Sequence, residues 1–385
     1  MSATMTQPAP DDESLDIFRR SASRFFEAEA GPDVVAAWRA AGAVPRTFWS
    51  AAARAGLLGV SVPEAYGGGG GDFRHEAALA YEIYRRGLDA FALPLHNAMI
   101  APYLVSFGTE AQKQRWLPGM ADGRLISAIA MTEPGAGSDL QGIRSRAVRD
   151  GDDYVITGQK TFISNGQTAN LVLVVCKTDP DNGAKGVSLF VVETDQAPGF
   201  RRGRKLEKLG LEAADTSELF FDEVRVPAAN LLGEAEGRGF YQLMDKLAQE
   251  RLLIAIQGLG TLERALAETV AYVKSREAFG KPLLEFQNTQ FKLAECKTEA
   301  TVARVFVDHC TALHLEGRLD ATTASMAKLW VTEAQCRIVD ECLQLHGGYG
   351  YMLEYPIARM YRDSRIQRIY GGTNEIMKLL IARSL

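Results

Sequence analysis

Cysteine is scarce in this sequence, and the few present form no pattern. Cys176, Cys296, Cys310, Cys336 and Cys342 are odd in number, widely spaced and without a Cys-x-x-Cys pair. That excludes a disulfide framework and points to small core residues in a reducing compartment. Histidine is also sparse, and His309 and His314 lack the carboxylate or cysteine neighbours of a metal site. No apolar run is long enough to span a bilayer, so no membrane insertion is expected. Positive charge is in deficit: the net charge is −5, and basic runs such as Arg201–Lys208 are short. A nucleic-acid partner is therefore not expected. No strand–Gly-x-Gly-x-x-Gly–helix unit occurs, so a nucleotide cofactor would not lie in a Rossmann fold. The glycine run Gly67–Gly71 is not followed by Gly-Lys-Ser/Thr, and it reads as a flexible surface turn between helices. Met1–Glu13 has neither the apolar core of a signal peptide nor the Arg-rich character of a transit peptide. Residues 1–14 are read as a loose tail, and the expected location is cytoplasmic.

What is present divides into three stretches. Residues 15–123 carry apolar positions at helical spacing, as in Ile17, Phe25 and Phe26 and again in Ala78, Leu79 and Ile83, and Thr109 is placed to cap a helix. Residues 124–236 hold short β-rich runs: Leu125–Met131, Ser145–Val148, Tyr154–Thr157, Thr161–Ser164, Leu171–Val175, Val187–Val192 and Leu219–Val224. Turn signals such as Asp150-Gly151-Asp152 separate them, which suggests an antiparallel sandwich or barrel. From 237 to 385 the helical period returns, with helices expected near 237–275, 286–315, 320–346, 355–368 and 374–384. Val302, Val305, Phe306 and Leu313 form a stripe expected to face the core of a bundle. The fold class is α+β in three parts: N-terminal helices, a middle β-domain and a C-terminal helical bundle.

Five segments carry chemistry. Ala130–Asp139 reads AMTEPGAGSD: a strand ends at Met131, and a Pro-Gly-Ala-Gly turn exposes backbone N–H groups beside Thr132 and Ser138. Thr161–Gly166 reads TFISNG, and Arg276–Gln287 reads REAFGKPLLEFQ. Gln344–Asp363 reads QLHGGYGYMLEYPIARMYRD and leads into Ile369–Ile376, IYGGTNEI, a glycine pair at a helix start where free N–H groups favour electron-rich ligand atoms.

Together these segments resemble the signatures of the acyl-CoA dehydrogenase flavoproteins over roughly residues 15–385. The resemblance implies the three-part fold of that family, FAD as cofactor, an acyl-CoA thioester as substrate and electron-transfer flavoprotein as acceptor. It implies that Met131, Thr132, Ser138, Phe162 and Ser164 lie along the flavin and that Ser138 also meets the substrate. Phe162 stands where Trp is usual, which keeps a stacking surface and loses the indole N–H donor. Arg276, Phe279 and Gln287 are implied to reach the FAD of a neighbouring subunit, as are Gln344, Gly347 and Gly348 towards its adenosine half. Thr373 and Glu375 match the family's cofactor contacts near IYGGTNEI. A shared cofactor needs an interface, so a homo-oligomer is expected, most often a tetramer.

One residue of the pattern is missing. The family's usual Tyr-Glu-Gly-Thr is here Tyr370-Gly371-Gly372-Thr373, so the common catalytic base is absent. Glu250, in LAQERLLIA, replaces it in this reading. Its helical face carries Leu243, Leu247, Leu253, Ile254 and Gln257, so desolvation should raise its pKa. A family branch that includes long-chain and isovaleryl-CoA dehydrogenases has a Glu before an Arg at this place, as Glu250-Arg251 stands here. Tyr370 is expected at the substrate, and Arg251 at the substrate edge of the pocket or against a structural carboxylate. The backbone N–H of Gly371 can donate to the thioester oxygen, and the glycine is expected to leave room beside the α-carbon. Residues near Leu93–His96 are expected to floor the pocket. The competing classes are an oxidase or monooxygenase on the same scaffold, a dehydrogenase of carrier-protein thioesters, and a non-catalytic FAD-binding subunit.

Overall fold

The helical periodicity of the first third resolves into α1 (Glu13–Glu29), α2 (Pro32–Ala41), α3 (Arg46–Arg54), α4 (Phe73–Arg85), α5 (Ala101–Phe107) and α6 (Glu110–Ala121). The structure is a computed structural model that describes residues 13–385. The expected tail at 1–14 thus lies almost wholly outside the described residues. Its last two positions are helical, because Glu13 and Asp16 place negative charge in the first turn of α1. Thr109 does cap α6: its hydroxyl accepts from Gln112 N–H, and the Gln112 side chain returns the bond. The glycine run is not a loose turn. Gly69, Gly70 and Gly71 donate to the carbonyls of Gly59, Val62 and Val60 at 2.9–3.0 Å. A Cβ on Gly68 would lie 2.1 Å from the Val62 oxygen, so close backbone approach requires the glycine there.

The middle strands are β1 (Ser127–Ala130), β2 (Arg146–Asp150), β3 (Asp153–Ile163), β4 (Leu171–Lys177), β5 (Val187–Glu193), β6 (Phe200–Lys205) and β7 (Ser217–Pro227). They form one seven-stranded sheet, curled so that β4 and β5 are covered on both faces. Leu171, Leu173 and Val175 pack towards α5 and α6, while Val172, Val174 and Cys176 pack with Tyr154, Ile156 and Phe221. Two-sided burial explains why LVLVVC shows no polar alternation. Two details depart from the expected antiparallel order. β1 and β2 run parallel to β4, which the long connections between them permit. The two expected strands at 154–157 and 161–164 are one strand, β3, bent by register shifts against β7. β6 falls on the basic run at 201–205, where charge hides the strand pattern.

The last third contains α7 (Gly239–Ser275), a hairpin of β8 (Glu277–Ala278) and β9 (Lys281–Pro282), α8 (Gln287–Leu315), α9 (Ala321–Leu345), α10 (Pro356–Ser364) and α11 (Asn374–Ala382). Every residue of α7 from Glu250 to Leu262 is buried, because α4, α8 and α9 surround it. A helix covered all round is a place where a carboxylate can be stripped of water. The expected core stripe of α8 is corrected at two positions: Val302 and Val305 are 50% and 64% exposed, while Phe306 packs against the core. The buried face is Leu293, Cys296, Ala300, Ala303, Val307 and Cys310, whose small side chains let α8 approach its neighbours closely. None of the helices is long and apolar enough to cross a membrane, among the described residues.

Candidate active site

Glu250 points into the centre of the molecule. It is buried, and the Tyr103 hydroxyl donates to its Oε1 at 2.8 Å. Burial pushes its pKa up to about 7, against the opposing pull of Tyr103, Arg251 and Lys246. The carboxyl therefore titrates in the range where a general base is useful. A surface ion pair with Lys246 does not form; Lys246 binds Asp245 at 3.0 Å and lies over the Phe107 ring. Arg251 is buried as well. Its Nη1 donates to Ser325 Oγ at 3.3 Å, and its Nε has no partner among the described residues. Burial lowers its pKa, with Glu250 opposing.

The turn before α11 meets the same face of α7. Gly371 and Gly372 both adopt left-handed backbones, with φ of 64° and 91°. A Cβ on Gly371 would lie 2.3 Å from Ile254 Cδ1, and the Tyr370 hydroxyl lies 3.4 Å from Gln257 Oε1. Glu250, Ile254 and Gln257 are successive turns of one helical stripe, so Gly371 shares a wall with Glu250. The expectation that glycine leaves open room is corrected, because Ile254 already fills the start of that space. A glutamate at 371 would need a left-handed backbone and a moved Ile254.

The β-domain packs on the apolar cluster that contains Tyr103, through Ala136 and Met131. Glu133, the acid of AMTEPGAGSD, is buried beneath its turn and receives Lys160 Nζ at 2.8 Å and the N–H groups of Arg144 and Ser145. Burial pushes the Glu133 pKa up, but the Lys160 charge and these bonds bring it below the ordinary carboxylate value. Lys160 also donates to the Met131 carbonyl at 3.0 Å. This clamp holds the turn while Met131 and Thr132 stay half-buried at its start and Ser138 is exposed. The N–H of Thr161 donates to the Thr132 carbonyl at 2.9 Å, joining the first two motifs. Phe162 then projects outward, 68% exposed, with φ of 59°. A bulky residue in that conformation is uncommon and marks a place where side-chain direction matters. Ser164 is half-buried beside it.

A second group of residues gathers at the far ends of α7, α8 and α9. Arg276 closes α7, and its guanidinium lies 5.6 Å from the centre of the Tyr349 ring. Phe279 and Gly280 form the two-residue turn of the β8–β9 hairpin, with φ of 54° and 80°. Phe279 is 94% exposed. Gln287 starts α8, Gln344 ends α9, and both are exposed. At 1.5 Å per residue, the run of α7 from Glu250 to Arg276 covers roughly 39 Å. The site residues therefore form two clusters, and one chain does not bring them together. Thr373 and Glu375 belong to the first. Thr373 caps α11, while Glu375 is exposed and held ionised by its own backbone N–H, with the Thr373 hydroxyl assisting.

Four glycines bear on whether an elongated cofactor fits. Gly135 and Gly137 in the first cluster, and Gly347 and Gly348 in the second, would meet no protein atom within 4 Å if given a Cβ. Packing within the chain does not require glycine at Gly135, Gly137 or Gly348, and only the backbone of Gly347 does, with φ of 58°. Bare main chain beside exposed aromatics suits close approach of a flat, phosphate-bearing group.

Sequence reasoning missed Tyr103, the Glu133–Lys160 clamp and the part played by Ile254. The acid stood in the first motif and the lysine directly before the second; Tyr103 carried no local signal.

The three-part helical–β–helical order is the fold of an acyl-thioester dehydrogenase class of protein. The comparisons agree. Family models described as the N-terminal, middle and C-terminal domains of acyl-CoA dehydrogenase match residues 12–124, 128–224 and 237–385. The chain belongs to the acyl-CoA dehydrogenase family, a family of flavoproteins. It is 50% identical over 372 residues to the mitochondrial long-chain specific acyl-CoA dehydrogenase of Sus scrofa, covering 96% of this chain and 86% of that one. Its structure resembles that of an acyl-CoA dehydrogenase from Geobacillus kaustophilus, with a TM-score of 0.95, 49% identity and coverage of 98% and 99%. A glutaryl-CoA dehydrogenase from Mycobacterium smegmatis in complex with FADH2 also matches, with a TM-score of 0.89, 31% identity and coverage of 97% and 94%.

Proposed function

We propose that this chain dehydrogenates an acyl-CoA thioester between its α and β carbons, giving the trans-2-enoyl-CoA, with Glu250 as the base. The observation that carries this reading is Glu250 itself. It is buried, bonded by Tyr103, titrating at about 7, and set against the glycine turn where the usual base is missing. Glu250 in its ionised form takes the α-proton. FAD, when bound, would supply the two-electron acceptor for the hydride from the β-carbon, balancing the proton taken by Glu250. Thr132, Ser138, Phe162, Ser164, Thr373 and Glu375 would hold the flavin end. Arg276, Phe279, Gln287, Gln344, Gly347 and Gly348 would hold the adenosine end of the cofactor bound to another copy. The backbone N–H of Gly371 polarises the thioester oxygen, which lowers the pKa of the α-proton. Arg251 and Tyr370 line the substrate side. Exclusion of water around α7 keeps the carboxylate basic enough to act. The reduced enzyme passes its electrons to an electron-transfer flavoprotein, works as a homotetramer and acts in cytoplasmic fatty-acid metabolism.

The test is anaerobic mixing of the FAD-loaded protein with a panel of straight and branched acyl-CoAs. Bleaching of the oxidised flavin by at least one of them is expected. No bleaching with any thioester would sink the reading and favour a non-catalytic flavin-binding subunit.

A further inference from the structure

Lys328 lies in the middle of α9 and is fully buried. Its ammonium donates to the carbonyl of Gly372 at 2.8 Å and to Asn374 Oδ1 at 2.9 Å. Neither acceptor is charged. Glu333 and Glu375 act on it from a distance, and Arg251 and Arg368 oppose them. Burying an ammonium without a contacting anion is unfavourable, and an apolar side chain would pack α9 at lower cost. The carbonyl it holds belongs to the second of two consecutive left-handed glycines. The same turn is tied again on either side: Asn374 Nδ2 donates to Glu333 Oε1 at 2.8 Å, and Arg368 Nε donates to the same oxygen at 2.9 Å. Between these ties, the N–H groups of Gly371 and Gly372 donate to no protein atom among the described residues. Two glycines with free N–H groups would be mobile unless something outside the turn held them.

We propose that Lys328 is a positioning residue for α-proton removal: from α9 it pins the Gly372 carbonyl and so fixes the turn whose Gly371 N–H donates to the thioester oxygen. This rests on the function proposed above. Burial draws the ammonium down to about 8, so it keeps its charge at neutral pH and the grip holds under working conditions. The lysine touches neither substrate nor cofactor; it acts through the backbone of the turn.

The experiment uses a 3-thia-acyl-CoA with the FAD-loaded protein. Sulfur at the β-position acidifies the α-proton and leaves no β-hydride, so the proton moves to Glu250 and no oxidation follows. The resulting enolate gives a long-wavelength charge-transfer band with oxidised flavin. Wild type should show the band. Lys328→Met should lose it at least tenfold per bound ligand, at matched FAD occupancy, with the ligand Kd changed less than threefold. Lys328→Gln, one atom shorter, keeps a polar tip but not the reach, and should lose the band at least threefold; it covers the case in which the Met variant does not fold. A purely structural role would lower Tm and FAD retention and leave the band per bound ligand intact. A full band in either folded variant overturns the inference. A wild type without the band overturns the dehydrogenase reading and this inference with it.

Discussion

The two ends of α7 differ in nearly every physical respect. At the Glu250 end the groups around the base are buried and mostly partnered: Tyr103 bonds the base, Lys160 bonds Glu133, and Lys328 bonds the Gly372 carbonyl. At the Arg276 end, Phe279 is 94% exposed, Tyr351 is 84% exposed and the glycines face open space. Burial with partnering makes a centre that is chemically complete within one chain. Exposed aromatics and bare backbone make a surface that needs another molecule to cover it. Roughly 39 Å of helix lies between them at 1.5 Å per residue, which is why the proposed function assigns the two ends to cofactors of different copies.

The largest expected effect breaks the buried end. Glu250→Gln keeps shape and cannot accept a proton. Flavin reduction by a good acyl-CoA should fall by ~10²–10⁴, while FAD content stays at the wild-type level. Stopped-flow absorbance under anaerobic conditions measures it, and a near wild-type rate would remove Glu250 from the mechanism. Moving the base back to Gly371→Glu should rescue poorly, since the left-handed backbone and Ile254 both oppose it.

The next effect breaks the exposed end. Arg276→Ala removes charged hydrogen bonds worth about 1.5–3 kcal/mol, so FAD retention should weaken roughly tenfold to a hundredfold. Chemistry at saturating FAD should survive, because Arg276 is far from Glu250. Unchanged FAD affinity would take Arg276 out of the site. A light-scattering mass of one chain with FAD bound would contradict the two-copy argument.

The same contrast explains what could be read from the sequence. AMTEPGAGSD and TFISNG are local: their turn and aromatic lie within a few residues, so the strand end at Met131 and the turn after it were legible before any fold was known. The vacancy at Gly371 and the apolar face around Glu250 were legible too, one as a missing acid and the other as helical spacing. Tyr103 was not, because it meets Glu250 across 147 positions, and nothing near it signals a carboxylate partner. The space beside Gly371 was misjudged for the same reason, since Ile254 enters it from another element. In α8 the stripe was misread because large apolar residues outweighed the alanines and cysteines that form its buried face. Packing at close range selects small side chains, and hydrophobicity alone does not rank them.

The smallest effect concerns the pH dependence of the base. Glu250 acts only when ionised, and its pKa is about 7, so flavin reduction should rise with pH through that value and level off above it. The Tyr103 hydrogen bond favours the carboxylate form. Removing it with Tyr103→Phe leaves burial unopposed on that side, so the pKa rises further. A hydrogen bond to a charged group is worth about 1.5–3 kcal/mol, and one pKa unit is about 1.4 kcal/mol; a shift of roughly one unit upward is expected. The variant should therefore be several-fold slower near pH 7 and match wild type well above both midpoints. Stability carries the same sign. A raised acid binds its proton more tightly when folded, so its stabilisation is present below about 4.5, the ordinary value, and is lost as pH rises towards about 7. In Tyr103→Phe that loss should extend to higher pH. Rate profiles of anaerobic flavin reduction for both proteins decide it. A limb that stays in place would mean the hydroxyl orients Glu250 without tuning it, and a limb that moves downward would mean the bond favours the protonated acid.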